Sequence, residues 1–219
     1  MTRDEKAIMI ALVIGDGSLE KLGPRNVRLK IEHSIKQRDY VIYKRDLLHK
    51  IIGGKQIKIY TTNRVRKNTK LQSAYFRKNH RYFRVIRKVL YKYGKKQITK
   101  PVLYRLTPKA LAIWYMDDGN LYKHIHKDKV TSFRITLSTE VSYEEALLIQ
   151  EYFLDRWNIH FHINKTKNGR FRHRCSTKEA RKFFDIIEPH IIDSMKYKID
   201  VPNYIRHECQ TPRTGEDIV

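Results

Sequence analysis

An α+β fold made of one αββαββα unit used twice is predicted, on three observations. Two apolar helical runs end in Asp-Gly, Met9 to Gly17 and Leu111 to Gly119, with 102 residues between equivalent positions in a chain of 219. Each run is followed by elements of matching type in matching order. Each half also returns a lysine 80 residues after its own aspartate, Lys96 after Asp16 and Lys198 after Asp118.

The elements follow in order. After Asp16 comes a polar turn, then Val27 to Glu32, alternating apolar and polar with period two. After Asp118 comes a longer polar turn, then Phe133 to Ser138, alternating likewise. Both read as half-buried strands. Helical patterns follow over Gln37 to Ile52 and Ser142 to Trp157. Strand-like runs come next, Gln56 to Thr61 and Leu71 to Arg77 in one half, Ile159 to Lys165 and Gly169 to Ser176 in the other. Amphipathic helices over Arg81 to Tyr93 and Lys178 to Ile187 close each half. The boundary falls near Leu106, because Thr107-Pro108 is an N-cap followed by proline at the first helical position. This divides the chain into 1–105, 106–209 and a loose tail from Gln210 to Val219.

A carboxylate at a helix C-terminus meets carbonyls that already carry partial negative charge. Two such ends repel unless a cation stands between them, and hard divalent ions such as Mg²⁺ suit carboxylate and carbonyl oxygens. Ala11 and Gly15, small and one turn apart, allow close helix approach. Ile113 and Asp117 stand at the matching places, so the interface is not symmetric in detail.

The chain holds 46 Lys+Arg against 23 Asp+Glu, a net of +23. Residues 1–105 carry 28 basic and 7 acidic side chains, residues 106–219 carry 18 and 16. Such charge points to a polyanion, above all nucleic acid. On the strands, Arg28, Lys30 and Glu32 share one face, as do Arg134, Thr136 and Ser138, and Arg170, Arg172 and Arg174, with Phe171 and Cys175 turned away. Lys58 adds a base within the Gln56 to Thr61 run. Two-stranded ribbons fit the DNA major groove, where such side chains read base edges. A membrane partner is not expected, as no apolar run approaches the ~18 residues of a spanning helix. Two cysteines, Cys175 and Cys209, argue against a disulfide framework and for an intracellular, reducing setting.

Both Asp-Gly runs resemble the LAGLIDADG helix of homing endonucleases. Leu106-Thr107-Pro108 through Trp114-Tyr115-Met116-Asp117-Asp118-Gly119 is especially similar to the second motif of single-chain members. The similarity continues through Leu137-Ser138-Thr139 to Met195-Lys196-Tyr197-Lys198. The resemblance implies a pseudo-symmetric fold whose two curved antiparallel sheets form a DNA saddle. It implies a monomer that makes double-strand breaks in a long asymmetric duplex site, as in intron homing. It also implies a divalent metal, Mg²⁺, with Mn²⁺ substituting and Ca²⁺ binding without efficient cleavage. Asp16 and Asp118 match the metal-binding acids, the carbonyls of Gly15 and Asp117 the backbone ligands, and Lys96 and Lys198 the basic residues of the hydrolytic pocket. Glu32 and Ser138 occupy equivalent strand positions, so the two sites are expected to be unequal. An organellar, phage or bacterial source all fit.

Other readings are weaker. An intron RNA maturase or a DNA-binding regulator uses the same fold without cutting, but both motif acids are present. Tyr115-Met116-Asp117-Asp118 also spells a reverse-transcriptase signature, which belongs on a β-hairpin rather than at the end of a helix. An intein is not expected, with no splicing Cys or Ser at the start and no His-Asn at the end. His124, His126, His160, His162 and His173 lack zinc spacing, and the two i,i+2 pairs, His124 with His126 and His160 with His162, read as solvent or phosphate contacts.

Overall fold

The computed structural model describes residues 1–66 and 69–206. The expected tail from Gln210 and Cys209 lie outside the described residues. Two central helices stand side by side, α1 (Arg3–Ile14) and α5 (Pro108–Asp118), and pack along their lengths. Every residue from Ala7 to Ile14 and from Ala110 to Met116 is buried. A helix apolar on all sides is stable only when enclosed on all sides, and here each helix is walled by its twin and by both halves of the core.

Each helix leads into a four-stranded antiparallel sheet. In the first half these strands are β1 (Ser18–Lys21), β2 (Val27–Ser34), β3 (Tyr60–Arg66) and β4 (Thr69–Asn79), in the order β1-β2-β4-β3. In the second half β7 (Gly119–His126), β8 (Lys129–Val141), β9 (His162–Lys165) and β10 (Phe171–Cys175) take the same order, β7-β8-β10-β9. The helices α2 (Arg38–Ile52) and α3 (Arg81–Leu90), and α6 (Tyr143–Trp157) and α7 (Thr177–Ile187), cover one face of each sheet. The αββαββα unit therefore occurs twice.

The stretches after each Asp-Gly, read above as polar turns, carry the first strand of each sheet. They are edge strands: β1 has four residues with only Leu19 buried, and β7 is exposed over most of its length, so little alternation is imposed on their composition. β3 begins at Tyr60 rather than Gln56, leaving Lys58 just ahead of it, and β9 begins at His162 rather than Ile159. β10 begins at Phe171, so Arg170 belongs to the preceding turn. α3 stops at Leu90, because the chain turns back through a two-residue hairpin, β5 (Tyr91–Lys92) to β6 (Lys95–Lys96). Its central residues Tyr93 and Gly94 have φ of 51° and 78°, as primed hairpin turns require. The short helix α4 (Lys100–Leu103) then leads to α5. Thr107 holds the N-cap backbone geometry there, but its buried hydroxyl finds no partner, so proline at the first helical position does the local work. A last short helix, α8 (Asn203–Arg206), packs beside β8. No helix of the described residues is long and apolar enough to cross a membrane.

Candidate active site at the paired helix ends

The C-terminal ends of α1 and α5 meet between the two sheets. Lys96 and Lys198 reach these ends from unlike local structures. The hairpin after α3 sends Lys96 Nζ to the carbonyls of Gly15 (2.8 Å), Gly17 (3.2 Å) and Ile14 (3.3 Å). In the second half a 3₁₀ turn, Asp193–Lys198, sends Lys198 Nζ to the carbonyls of Met116 (2.6 Å) and Asp117 (3.2 Å). Tyr115 fixes that turn by donating its hydroxyl to the Lys198 carbonyl at 2.8 Å. Each ammonium thus occupies carbonyls left without intrahelical partners. Burial lowers the pKa of both lysines, while the nearby aspartates oppose the shift.

Asp118 Oδ2 accepts from Trp114 Nε1 at 2.9 Å, one helical turn back. Burial, then Asp117 and Asp16, push the Asp118 carboxyl up to about 7. Asp16 is more open, with its side chain 44% exposed. Partial desolvation at the helix ends and then Asp117 raise its pKa as well. A cleft of about 370 Å³ opens beside Asp118, lined by Gly15, Lys96, Glu140, Glu145 and Arg170 among others.

Asp117 was expected to act through its carbonyl, yet its side chain organises the centre. It is fully buried and crosses from the second helix into the first half. Oδ2 accepts the Asp16 backbone N–H at 3.1 Å; Oδ1 accepts the Tyr40 hydroxyl at 2.8 Å and pairs with Lys44 Nζ. Gly15 makes room for it. A Cβ there would lie 2.1 Å from Asp117 Oδ2.

Lys44, His33 and Tyr40 escape a motif-based reading, although the sequence carries a signal for the first two. His33 falls in phase with Val27, Leu29 and Ile31 on the buried face of β2. Lys44 falls on the buried stripe of α2 with Tyr40, Val41 and Leu48. A polar residue at a core position requires a partner. Both are buried, and His33 Nε2 lies 3.1 Å from Lys44 Nζ while Nδ1 lies 3.4 Å from Asp16 Oδ2. Burial and the Lys44 charge lower the His33 pKa to about 4.

The donor set fits a hard cation. Asp16 and Asp118 offer carboxylates, the Gly15 and Asp117 carbonyls accept from Lys96 and Lys198 but each keeps a second lone pair, and raised carboxyl pKa values mark a site where added positive charge is favourable. Ligand atoms of Asp16, His33 and Asp117 also lie within 4.8 Å of one another. In that trio, however, both Asp117 oxygens are already engaged.

The polar sheet faces carry the other expected residues. Arg28 is paired with Glu20 at 2.7 Å and Lys30 with Glu32, which also accepts from Ser73 at 2.6 Å. Lys58, Arg172 and Arg174 are exposed, and Arg134 lies over the Tyr122 ring at 5.3 Å. Ser138 accepts from Asn120 at 3.1 Å. Two placements differ from expectation. Thr136 is only 4% exposed, flanked across the sheet by Asn120 and Arg174. Arg170 leaves the shared face of Arg172 and Arg174 and donates to the Glu140 carbonyl at 2.9 Å, beside the Asp118 cleft. Arg77 and Tyr75, absent from the sequence reading, oppose Lys30 and Glu32 on the same face. His173 is buried on the face of β10 opposite Arg172 and Arg174, its Nε2 2.9 Å from the Ala146 carbonyl and its Nδ1 3.4 Å from Thr139 Oγ1.

A family model described as the LAGLIDADG DNA endonuclease family matches residues 6–183. The chain belongs to that family. Within it, the fold is similar to the structure of the homing endonuclease I-WcaI bound to its DNA recognition sequence. The TM-score is 0.80 at 21% identity, over 92% of this chain and 88% of that one. Curated relatives are proteins named RecA. That of Mycolicibacterium chitae is 31% identical over 119 residues, 51% of this chain and 25% of its own length. That of Mycolicibacterium fallax is 28% identical over 200 residues, 88% of this chain and 45% of its own. The chain thus spans half or less of the relatives it matches.

Proposed function

We propose that this LAGLIDADG protein is a site-specific endonuclease that makes double-strand breaks in duplex DNA, by phosphodiester hydrolysis that depends on a divalent metal, with Mg²⁺ the natural ion. The observation that carries the reading is the meeting of Asp16 and Asp118 at two adjoining helix ends, each end held by a lysine. Asp16 and Asp118, with the carbonyls of Gly15 and Asp117, would hold the metal. When bound, it supplies Lewis-acid polarisation of phosphate oxygens and a water acidic enough to attack at neutral pH.

The chain's own residues supply the rest. The two carboxylates set the negative field that draws cations to the junction. Lys96 and Lys198 hold positive charge where phosphoryl oxygens would gain negative charge. The polar sheet faces, rich in Arg and Lys, suit phosphates on either side of the cut. No Ser, Cys or His nucleophile is required.

The test selects cleaved duplexes from a randomised library in Mg²⁺, then repeats the assay on the selected site. Asp16→Asn and Asp118→Asn should each abolish double-strand cleavage and leave binding intact. Ca²⁺ should support binding without efficient cleavage, as its larger radius and looser geometry imply. Full cleavage by the Asp118→Asn protein would remove Asp118 from the role. Tight binding to structured intron RNA with no duplex cleavage would replace this reading with a maturase.

A further inference from the structure

The two halves follow one path but differ in chemistry around the helix ends. Sheet register pairs Lys30 with Ser18 in one half and Thr136 with Asn120 in the other, which makes His33 the counterpart of Thr139. The 15-residue helices α2 and α6 make Tyr40 the counterpart of Glu145, and Lys44 of Ile149. In the helical motifs Gly15 is the counterpart of Asp117. The buried polar set His33, Tyr40, Lys44 and Asp117 therefore exists on one side only.

Its wiring has a direction. Lys44 Nζ lies 3.1 Å from His33 Nε2 and also pairs with Asp117 Oδ1. An ammonium carries donors and no acceptor, so Nε2 must present its lone pair and the ring proton sits on Nδ1. Nδ1 lies 3.4 Å from Asp16 Oδ2. Nδ1 thus lies in contact range of the more exposed carboxylate of the pair, with the Gln37 side chain as a further hydrogen-bond partner of the ring, which is 7% exposed. Asp117 holds the same residue from the other side by accepting the Asp16 backbone N–H. Asp118 is held differently, by Trp114 on its own helix.

We propose that His33, clamped from behind by Lys44 and Asp117, is a positioning residue for Asp16, and that the two DNA strands are cut with unequal dependence on it. This rests on the endonuclease reading above. His33 orients the carboxylate rather than touching the reacting phosphate, and the equivalent position of the second half holds Thr139, set against the buried His173 at 3.4 Å, in place of a histidine paired with a lysine.

The test measures cleavage of each strand separately on a duplex labelled at one strand or the other. His33→Ala should slow one strand by roughly ten- to a hundred-fold, the usual cost of losing such support, so that nicked duplex accumulates. His33→Asn, which places an amide N–H near the Nδ1 position, should restore most of that rate. Equal slowing of both strands by His33→Ala, or no slowing, overturns the proposal. A ¹⁵N spectrum of the imidazoles gives a second readout that needs no activity. His33 protonated on Nδ1 supports the clamp, and protonation on Nε2 overturns it. Wild-type protein that cuts neither strand would sink the endonuclease reading, with the spectrum still deciding the clamp.

Discussion

Replacing Lys44 tests how the helix junction is held together. The side chains of Lys44 and Asp117 are both fully buried. In Lys44→Met the Asp117 carboxylate keeps the Tyr40 hydroxyl and the Asp16 N–H but loses its countercharge. Breaking a buried pair in this way costs roughly 3–5 kcal/mol, because one charge is left stranded away from water. For a domain of about this size each kcal/mol moves Tm by roughly 2–4 °C, so a fall of roughly 6–20 °C is expected. The double variant Lys44→Met/Asp117→Asn removes both charges with little change of shape and should be more stable than Lys44→Met alone. Urea unfolding of the wild type, both single variants and the double variant gives the coupling directly. A Lys44→Met protein within about 1 kcal/mol of wild type would refute the argument. So would a double variant no more stable than Lys44→Met.

Three further outcomes follow. Lys96→Met and Lys198→Met should slow cleavage more than they weaken DNA binding, because both ammonium groups sit on the helix-end carbonyls rather than on the sheet faces; parallel loss of binding and cleavage would contradict this. His33 has a folded pKa near 4 against 6.5 for the free side chain, so the native state keeps it neutral. Its contribution is full above pH 6.5 and is lost as pH falls toward 4, so the stability advantage of wild type over His33→Asn should shrink by about 3 kcal/mol across that window; a pH-independent difference would count against a buried neutral ring. DNA affinity should fall steeply with salt, and Arg172→Ala or Arg174→Ala should each reduce the log–log slope by about 0.9 if that arginine neutralises one phosphate. Arg28→Ala should reduce it less, since Arg28 is already paired with Glu20.

The duplication was legible in the sequence because it is written in spacing. Helical and strand periods are local properties, and equal distances from Asp16 to Lys96 and from Asp118 to Lys198 survive in a repeated unit. Those distances brought both lysines to helix-end carbonyls although one rides a hairpin and the other a 3₁₀ turn. The edge strands β1 and β7 were not legible, since β1 is only four residues long with Leu19 alone buried and most of β7 is exposed on both faces, which removes the alternation that marks a strand.

Side-chain traffic across the helix pair was decided only by the tertiary structure. Asp117 and Lys44 lie 73 residues apart and meet because α5 packs its end against Gly15, where a larger residue would collide with the carboxylate. Likewise Thr136 sits on a polar strand face by alternation and yet is covered, because neighbouring strands supply the side chains around it. The sequence alone determined which residues point to a common face and which helices end in a carboxylate. Which carboxylate is stranded in the interior, and which lysine and histidine answer it, depended on the packing of one half against the other. Coulomb energy and desolvation act through space between groups that chain order keeps far apart.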